Sequence, residues 1–405
     1  MRCLMVASYF APINGGSAVV YETLCRFSPV GSMIVLAPRR RYETGEEIPG
    51  WRAFDDTAPY PIHRLEYLRP REMSAPRHRL ESVWRLLSID VPLKIRVFRK
   101  TWEIVRTSRV DVICIGELNS GSWLGILSKW FLGCRMISYI HGEEITVESR
   151  HGSFGRHRQR YLKHADAVIA VSDFTRNALI KTMNVSKDKI TLIQNGVNTE
   201  RFSPGPRPQE LIDRHGIAGK RVILSVGRVV PRKGMDAMVR AMPAIVASVP
   251  DAHFIVVGEG DYLPTVKVLA NECGVSDHVT FAGRVGDDEL IQYYRLCEVF
   301  AMPNREMPDG DTEGFGLVFL EANACGKPVV GGNAGGAVEA VRDGENGLLV
   351  DGWSVDSIEK AIIQLLTDDG LYKRIAAQAL AVARAADSRR VAEEFNALCR
   401  RLVGE

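Results

Sequence analysis

The chain has 405 residues, 46% of them hydrophobic and 25% charged, with a formal net charge of +3. That length exceeds one ordinary hydrophobic core and predicts two α/β domains of roughly 200 residues each. The composition is globular, the near-neutral balance gives no global field for nucleic acid, and no apolar run approaches the ~18 residues needed to span a bilayer.

Met1 to Ala7 reaches Asn14-Gly15-Gly16 too soon for a signal peptide and reads as a first strand. Further strands are predicted at 32–37, 110–116, 135–140, 167–171 and 190–193, the first strand covering 2–8. Ser172 is predicted to cap a helix running from about Asp173. Asn195-Gly196-Val197-Asn198 is a turn, and Pro204-Gly205-Pro206-Arg207-Pro208 is a stiff extended segment. A second series then opens, with strands near 222–226, 253–257, 278–281, 298–302, 328–330 and 347–350. About 388–403 reads as a helix with Val391, Phe395, Leu398 and Leu402 on one face. Strands alternating with helices throughout are the pattern of parallel α/β sheets. The expected division is 1–203, 204–385 and a terminal segment 386–405. None of the eight cysteines (Cys3, Cys25, Cys114, Cys134, Cys273, Cys297, Cys325, Cys399) forms a C-x-x-C pair, as expected of buried reduced thiols in a cytoplasmic protein.

Four segments carry candidate chemistry. Pro12-Ile13-Asn14-Gly15-Gly16-Ser17 follows the first strand and opens a helix; a plain tight turn is the alternative. Tyr139-Ile140-His141-Gly142-Glu143-Glu144 ends another strand, where a lone His is often structural. Val226-Gly227-Arg228-Val229-Val230-Pro231-Arg232-Lys233-Gly234 ends a strand with two cations, Arg228 and Lys233, suited to neutralising a diphosphate leaving group. A solvated basic turn is the alternative for that element alone.

The fourth is Glu313-Gly314-Phe315-Gly316-Leu317-Val318-Phe319-Leu320-Glu321, after a strand and a polar loop. A helix is predicted from Gly314–Phe315, with its free amides and positive dipole end toward the crevice. Gly314 and Gly316 let phosphate oxygens approach the backbone. Glutamates eight residues apart on a helix span about 12 Å. A diphosphate fits between them, and each carboxylate suits a pair of sugar hydroxyls. Asp309-Gly310-Asp311 is formally a D-x-D motif, but it lies in the loop before Glu313 and is not read as a metal site. Gly258-Glu259-Gly260 lacks the third glycine of a dinucleotide fingerprint, since Leu263 stands there, and Gly326-Lys327-Pro328 is no P-loop.

These elements, in this order, resemble family 4 of the retaining glycosyltransferases, whose fold is GT-B. Glu313 and Glu321 match its E-x(7)-E signature. Gly227, Arg228 and Lys233 match G-R-x(4)-K, and Asn195–Asn198 matches N-G-V-D with Asn for Asp. The resemblance implies two Rossmann-like domains facing across a cleft, with a C-terminal helix returning to the first. It implies that Arg228 and Lys233 bind the diphosphate, that Glu313 touches the transferred sugar, and that Glu321 binds the ribose. Gly15 and Gly16 leave room for donor and acceptor, and His141 stands beside the sugar. Gly314, Phe315, Gly316 and Leu317 form the donor loop, and Arg284 and Val285 are the picks for base contact. It also implies metal-independent front-face transfer with no cofactor besides the nucleotide-sugar. Arg228→Ala or Lys233→Ala is then expected to cut turnover about a hundredfold.

Glu313–Val330 with Asn333-Ala334-Gly335-Gly336-Ala337 looks most like GDP-mannose-dependent members, so GDP-mannose is favoured over UDP-sugars. The acceptor is expected to be a glycan or lipid-linked. Residues 64–106 hold eleven Lys/Arg (Arg64, Arg69, Arg71, Arg77, Arg79, Arg85, Lys94, Arg96, Arg99, Lys100, Arg106) interleaved with apolar side chains. A second basic run holds Arg150, Arg156, Arg158, Arg160 and Lys163. Either this is a solvated helix face or it attaches the protein peripherally to anionic lipid, on the inner face of the membrane. The competing functions are a UDP-sugar transferase of the same fold, an epimerase or phosphorylase, a non-catalytic nucleotide-sugar binder, and a nucleic-acid binder. The last lacks aromatic platforms.

Overall fold

The computed structural model describes residues 1–13, 15–73, 78–146 and 152–405, with side chains at all of these but 119 and 152–156. Asn14, Arg77, Arg150 and the Arg156 side chain therefore lie outside the described residues. Two parallel sheets form the frame. The first has seven strands in the order β3-β2-β1-β4-β5-β6-β7, and the second six in the order β10-β9-β8-β11-β12-β13. Their ranges are β1 Cys3–Val6, β2 Met33–Pro38, β3 Ile62–Leu65, β4 Val112–Ile115, β5 Arg135–Ile140, β6 Ala167–Ala170 and β7 Ile190–Leu192. The second sheet comprises β8 Arg221–Val226, β9 Ala252–Val257, β10 Val279–Gly283, β11 Val299–Met302, β12 Val329–Gly332 and β13 Gly347–Val350. Central strands such as Val112-Ile113-Cys114-Ile115 are buried on both faces, as helices cover both sides.

β3 is the strand that the sequence pattern does not announce. Ile-His-Arg-Leu has no apolar run, because an edge strand is only half-buried. Arg64 on it is not part of a basic surface, contrary to the sequence expectation. Its guanidinium is buried against Asp55 at 2.7 Å and donates to the carbonyls of Pro38 and Ala11. That last bond ties the loop after β1 to the edge of the sheet.

One apolar cluster runs from Cys3 and Met5 in the first sheet through Phe202 to Phe300 on β11 and Phe319 on the helix Leu317–Ala324. It also takes in Phe395 and Leu398 of the C-terminal helix Ser388–Val403, which packs on the helix Gly16–Phe27. The two chain crossings between sheets lie side by side: Val197 N donates to Ala386 O (2.9 Å) and Ser388 N to Val197 O (3.0 Å). All eight cysteines are free thiols, Cys273 half-buried and the others buried. Among the described residues, no helix is long and apolar enough to cross a membrane.

The helices Arg79–Arg85 and Val91–Ser108, joined by a π-helical turn at 86–90, expose Leu80, Val83, Trp84, Leu87, Ile95 and Trp102. Trp84 and Leu87 are 62% and 63% exposed, which a merely solvated polar face does not explain. Arg96 and Arg99 are exposed beside them. Val97 instead points into the core. In the second basic run Arg158 is buried and belongs to the interior, not to a charged surface.

Candidate active site

The carboxyl ends of β8 and β11 meet at a cluster of charge. After β8 the chain makes a single 3-10 turn, Pro231–Lys233, which turns both Arg232 and Lys233 inward. Lys233 Nζ lies 2.8 Å from Glu313 Oε2, and Arg232 reaches the same oxygen at 3.0 Å and Asp311 at 3.2 Å. Burial alone pushes the Glu313 carboxyl up, but Lys233 and Arg232 outweigh it and hold it down to about 2. Glu313 is therefore an anion at any working pH. Arg232 was not among the sequence candidates. Nothing in the spacing separates it from a solvated neighbour of Lys233; its burial in the turn does. Asp311 of the D-x-D run is engaged by this arginine.

The helix after Glu313 begins at Leu317, not at Gly314–Phe315. Gly316 adopts φ +92°, a left-handed conformation that breaks the helix before it and that a side chain would strain. Glu313 thus stands in a loop, and the 12 Å helical spacing to Glu321 does not apply. The glycines also have a nearer purpose than phosphate access. A Cβ on Gly314 would lie 2.1 Å from the carbonyl oxygen of His141, so the first domain already occupies that side. Phe315 is buried and Leu317 half-buried at the helix start. Glu321, one helical turn and more inward, is buried and accepts from the Tyr294 hydroxyl at 2.6 Å. Burial raises its carboxyl against that bond. Tyr294, from the helix Asp287–Leu296, is a second partner invisible in the motif.

The first domain supplies the opposite wall. His141 directly follows β5 and stacks on Tyr139, with ring centroids 5.1 Å apart. Its Nε2 is 2.8 Å from the Tyr21 hydroxyl, which donates to the Gly116 carbonyl. A hydroxyl has one proton, so these partners assign the imidazole proton to Nε2 and leave Nδ1 an acceptor. Burial pushes His141 down to about 4, so the ring is neutral. Glu144 accepts from the amides of Gly142 (3.0 Å) and His141 (3.5 Å), and burial raises it to about 7. The folded state holds this proton to higher pH than an unfolded chain does. Its contribution to stability is therefore full in acid, below the ordinary carboxyl range, and is lost as pH rises to about 7. Glu144→Gln is expected to flatten that decline in urea unfolding measured from pH 4.5 to 8; an unchanged slope removes Glu144 as its source.

Across the cleft, Arg228 is 61% exposed and lies 3.9 Å from Glu143. A Cβ added at Gly16 would stand 4.0 Å from Leu317 Cδ1, and one at Gly15 would meet nothing within 4 Å, so the glycine pair borders open space facing the donor loop. Gly15, Gly16, His141, Lys233, Glu313 and Leu317 are thus gathered at one place. Arg284, exposed, and Val285, half-buried, stand past the end of β10, separated from β8 by β9. Among the described residues, no group of three or more His, Cys, Asp or Glu is arranged to hold a metal ion.

Residues 14–201 match the family described as Glycosyltransferase Family 4, and residues 209–381 the family described as Glycosyl transferases group 1. The GDP-mannose-dependent alpha-(1-6)-phosphatidylinositol monomannoside mannosyltransferase of Mycobacterium tuberculosis is 44% identical over 91% of this chain and 89% of its own length. The GDP-mannose-dependent monoacylated alpha-(1-6)-phosphatidylinositol monomannoside mannosyltransferase of Corynebacterium glutamicum is 33% identical over 91% and 89%. Among solved structures, Anabaena HepE in complex with UDP and glucose superposes with a TM-score of 0.77 at 20% identity, covering 98% of this chain and 99% of that one. Sucrose-phosphate synthase of Thermosynechococcus elongatus gives 0.77 at 21%, covering 100% and 99%. At those identities the structures speak for the fold, and the relatives for the family. With both halves of the chain matched and both walls of the cleft in place, the chain belongs to family 4 of the glycosyltransferases and has their GT-B fold.

Proposed function

We propose that this glycosyltransferase moves mannose from GDP-mannose to a mannosylated phosphatidylinositol or a related lipid-linked acceptor, with retention and without a metal ion. The observation that carries this reading is the Lys233–Glu313–Arg232 cluster, closed from the other domain by His141 and Gly142. Two buried cations meet the charge that develops on a departing diphosphate, the task a metal ion performs elsewhere. The donor and acceptor follow from the mycobacterial and corynebacterial relatives, which cover nearly the whole chain.

In the step, the acceptor hydroxyl oxygen forms a bond to the sugar C1 on the face that the diphosphate leaves. The C1–oxygen bond breaks, its electron pair departs with GDP, and the hydroxyl proton passes to a diphosphate oxygen. Lys233, with Arg232 behind it and Arg228 at the rim, stabilises the leaving group. Glu313 and the neutral His141 orient the sugar, Glu321 holds the ribose, and Arg284 and Val285 flank the base. Gly15 and Gly16 admit the acceptor. The protein acts by position and charge.

A panel of GDP- and UDP-sugars, with and without chelator and with a purified phosphatidylinositol mannoside, tests this. Chelator-resistant transfer from GDP-mannose giving an α-linked product is expected. Turnover of UDP-sugars alone makes it a UDP-dependent transferase. Nucleotide binding with no turnover makes it a silent binder.

The exposed Trp84, Leu87, Ile95 and Trp102, with Arg96 and Arg99 among them, form the surface that lies on an anionic membrane and brings the cleft to its lipid. Replacing Arg96 and Arg99 together with Gln is expected to weaken binding to anionic vesicles about thirtyfold, at ~1 kcal/mol per basic residue. Trp84→Ser should reduce binding at any salt. Co-sedimentation unchanged by either set removes the surface from the reading.

A further inference from the structure

Glu339 belongs to the second domain, on the short helix Ala337–Ala340, yet its carboxylate is engaged by the first. Oε2 accepts from the Asp173 amide (2.9 Å) and from Gln194 Nε2 (2.8 Å), and Oε1 accepts from the Phe174 amide (3.0 Å). Those amides open the helix Asp173–Lys181, where the unpaired N–H groups and the dipole both favour an anion. Ser172, which caps that helix by accepting from the Thr175 amide (3.1 Å), also donates across the domain boundary to the Gly314 carbonyl (2.9 Å). The turn at 172–174 therefore grips the second domain at two points, Glu339 and Gly314.

These two points are one rigid unit. The Gly336 amide donates to the Glu313 carbonyl at 2.7 Å. A Cβ on Gly335 would lie 2.4 Å from the Glu313 carbonyl oxygen, and one on Gly336 1.9 Å from that of Gly314. The segment that carries Glu339 is thus in contact with the backbone that carries Glu313, and the two cannot shift independently.

Building on the transferase reading of the site, we propose that Glu339 is a positioning residue: its clasp of the 172–174 turn in the closed form sets Glu313 and Gly314 against His141. Without the carboxylate the two amides at 173 and 174 return to water, and the closed form loses charge-assisted bonds that the open form does not have. Lys233, Arg232 and Glu321 are all in the second domain, so the diphosphate and ribose contacts survive intact. The expected signature is a loss in turnover with little change in nucleotide affinity.

The test uses the full chain with spin labels at two exposed positions, Val30→Cys in the first domain and Val268→Cys in the second. Glu339→Ala should lengthen and broaden the GDP-bound interdomain distance and lower kcat for GDP-mannose about tenfold or more, since about tenfold is the least expected from losing even one of its three charge-assisted bonds. The Kd for GDP should stay within about twofold of the parent, as the second domain is untouched. Glu339→Gln, which keeps one acceptor oxygen, should fall between. Distances and kcat equal to the parent's overturn the proposal. So does a loss of GDP binding together with a lowered Tm in both variants, since that marks a structural residue. If the parent itself does not turn over GDP-mannose, the donor assignment fails, and the distance measurement still decides the clasp.

Discussion

Lys233→Ala lowers turnover of the donor about a hundredfold or more, the scale expected when one preorganised donor to a developing negative charge is lost, ~3 kcal/mol. The side chain is only 11% exposed and its charge faces Glu313 at 2.8 Å, so water does not replace it. Among the described residues the deletion also leaves Glu313 with Arg232 as its single close cation, which raises the carboxyl from about 2 toward ordinary values. The fall should therefore appear in kcat and in the affinity for GDP alike. Arg228→Ala is expected to lose less, because a guanidinium 61% exposed is screened by solvent. Steady-state kinetics with GDP titrations on both variants check this. Near-normal turnover in a folded Lys233→Ala protein ends its claim to the mechanism.

Gly314→Ala gives a comparable loss by a different route. The new methyl would stand 2.1 Å from the His141 carbonyl, closer than any real contact allows, and the three nearest atoms all belong to the first domain. The chain can relieve the clash by opening the cleft rather than by unfolding. Turnover should fall about a hundredfold, as expected when reacting groups are held an ångström out of place. Thermal stability and GDP affinity should stay close to the parent's. If GDP affinity falls in step with kcat, the glycine serves the donor directly and not the meeting of domains.

The frame of this fold is legible because a doubly covered parallel sheet needs unbroken apolar strands. Each strand expected from the sequence, from 2–8 to 347–350, is present, whereas Ile62–Leu65, half-buried at an edge, has no apolar run to read. The Ser172 cap was legible for a similar reason, since the bond it makes is local. The cleft was only partly legible. Glu313, Glu321, Lys233 and His141 are marked by motif, but the helix start was misplaced by the left-handed Gly316, whose φ no neighbouring residue type announces. Arg232, Tyr294 and Glu339 escaped because their partners lie 81, 27 and 166 or fewer residues away and, for Glu339, in the other domain. Charge that is satisfied at long range looks on paper like charge facing water.

The paired crossings at Val197 and Ala386–Ser388 constrain how the halves travel. A single tether would allow twisting, sliding and wandering. Two strands of chain bound to each other act as an axle, reinforced by Thr199 on Asp387 and by Arg389 on Glu200. Crossings bonded to each other in this way resist sliding and twisting of one half against the other more than a single tether would.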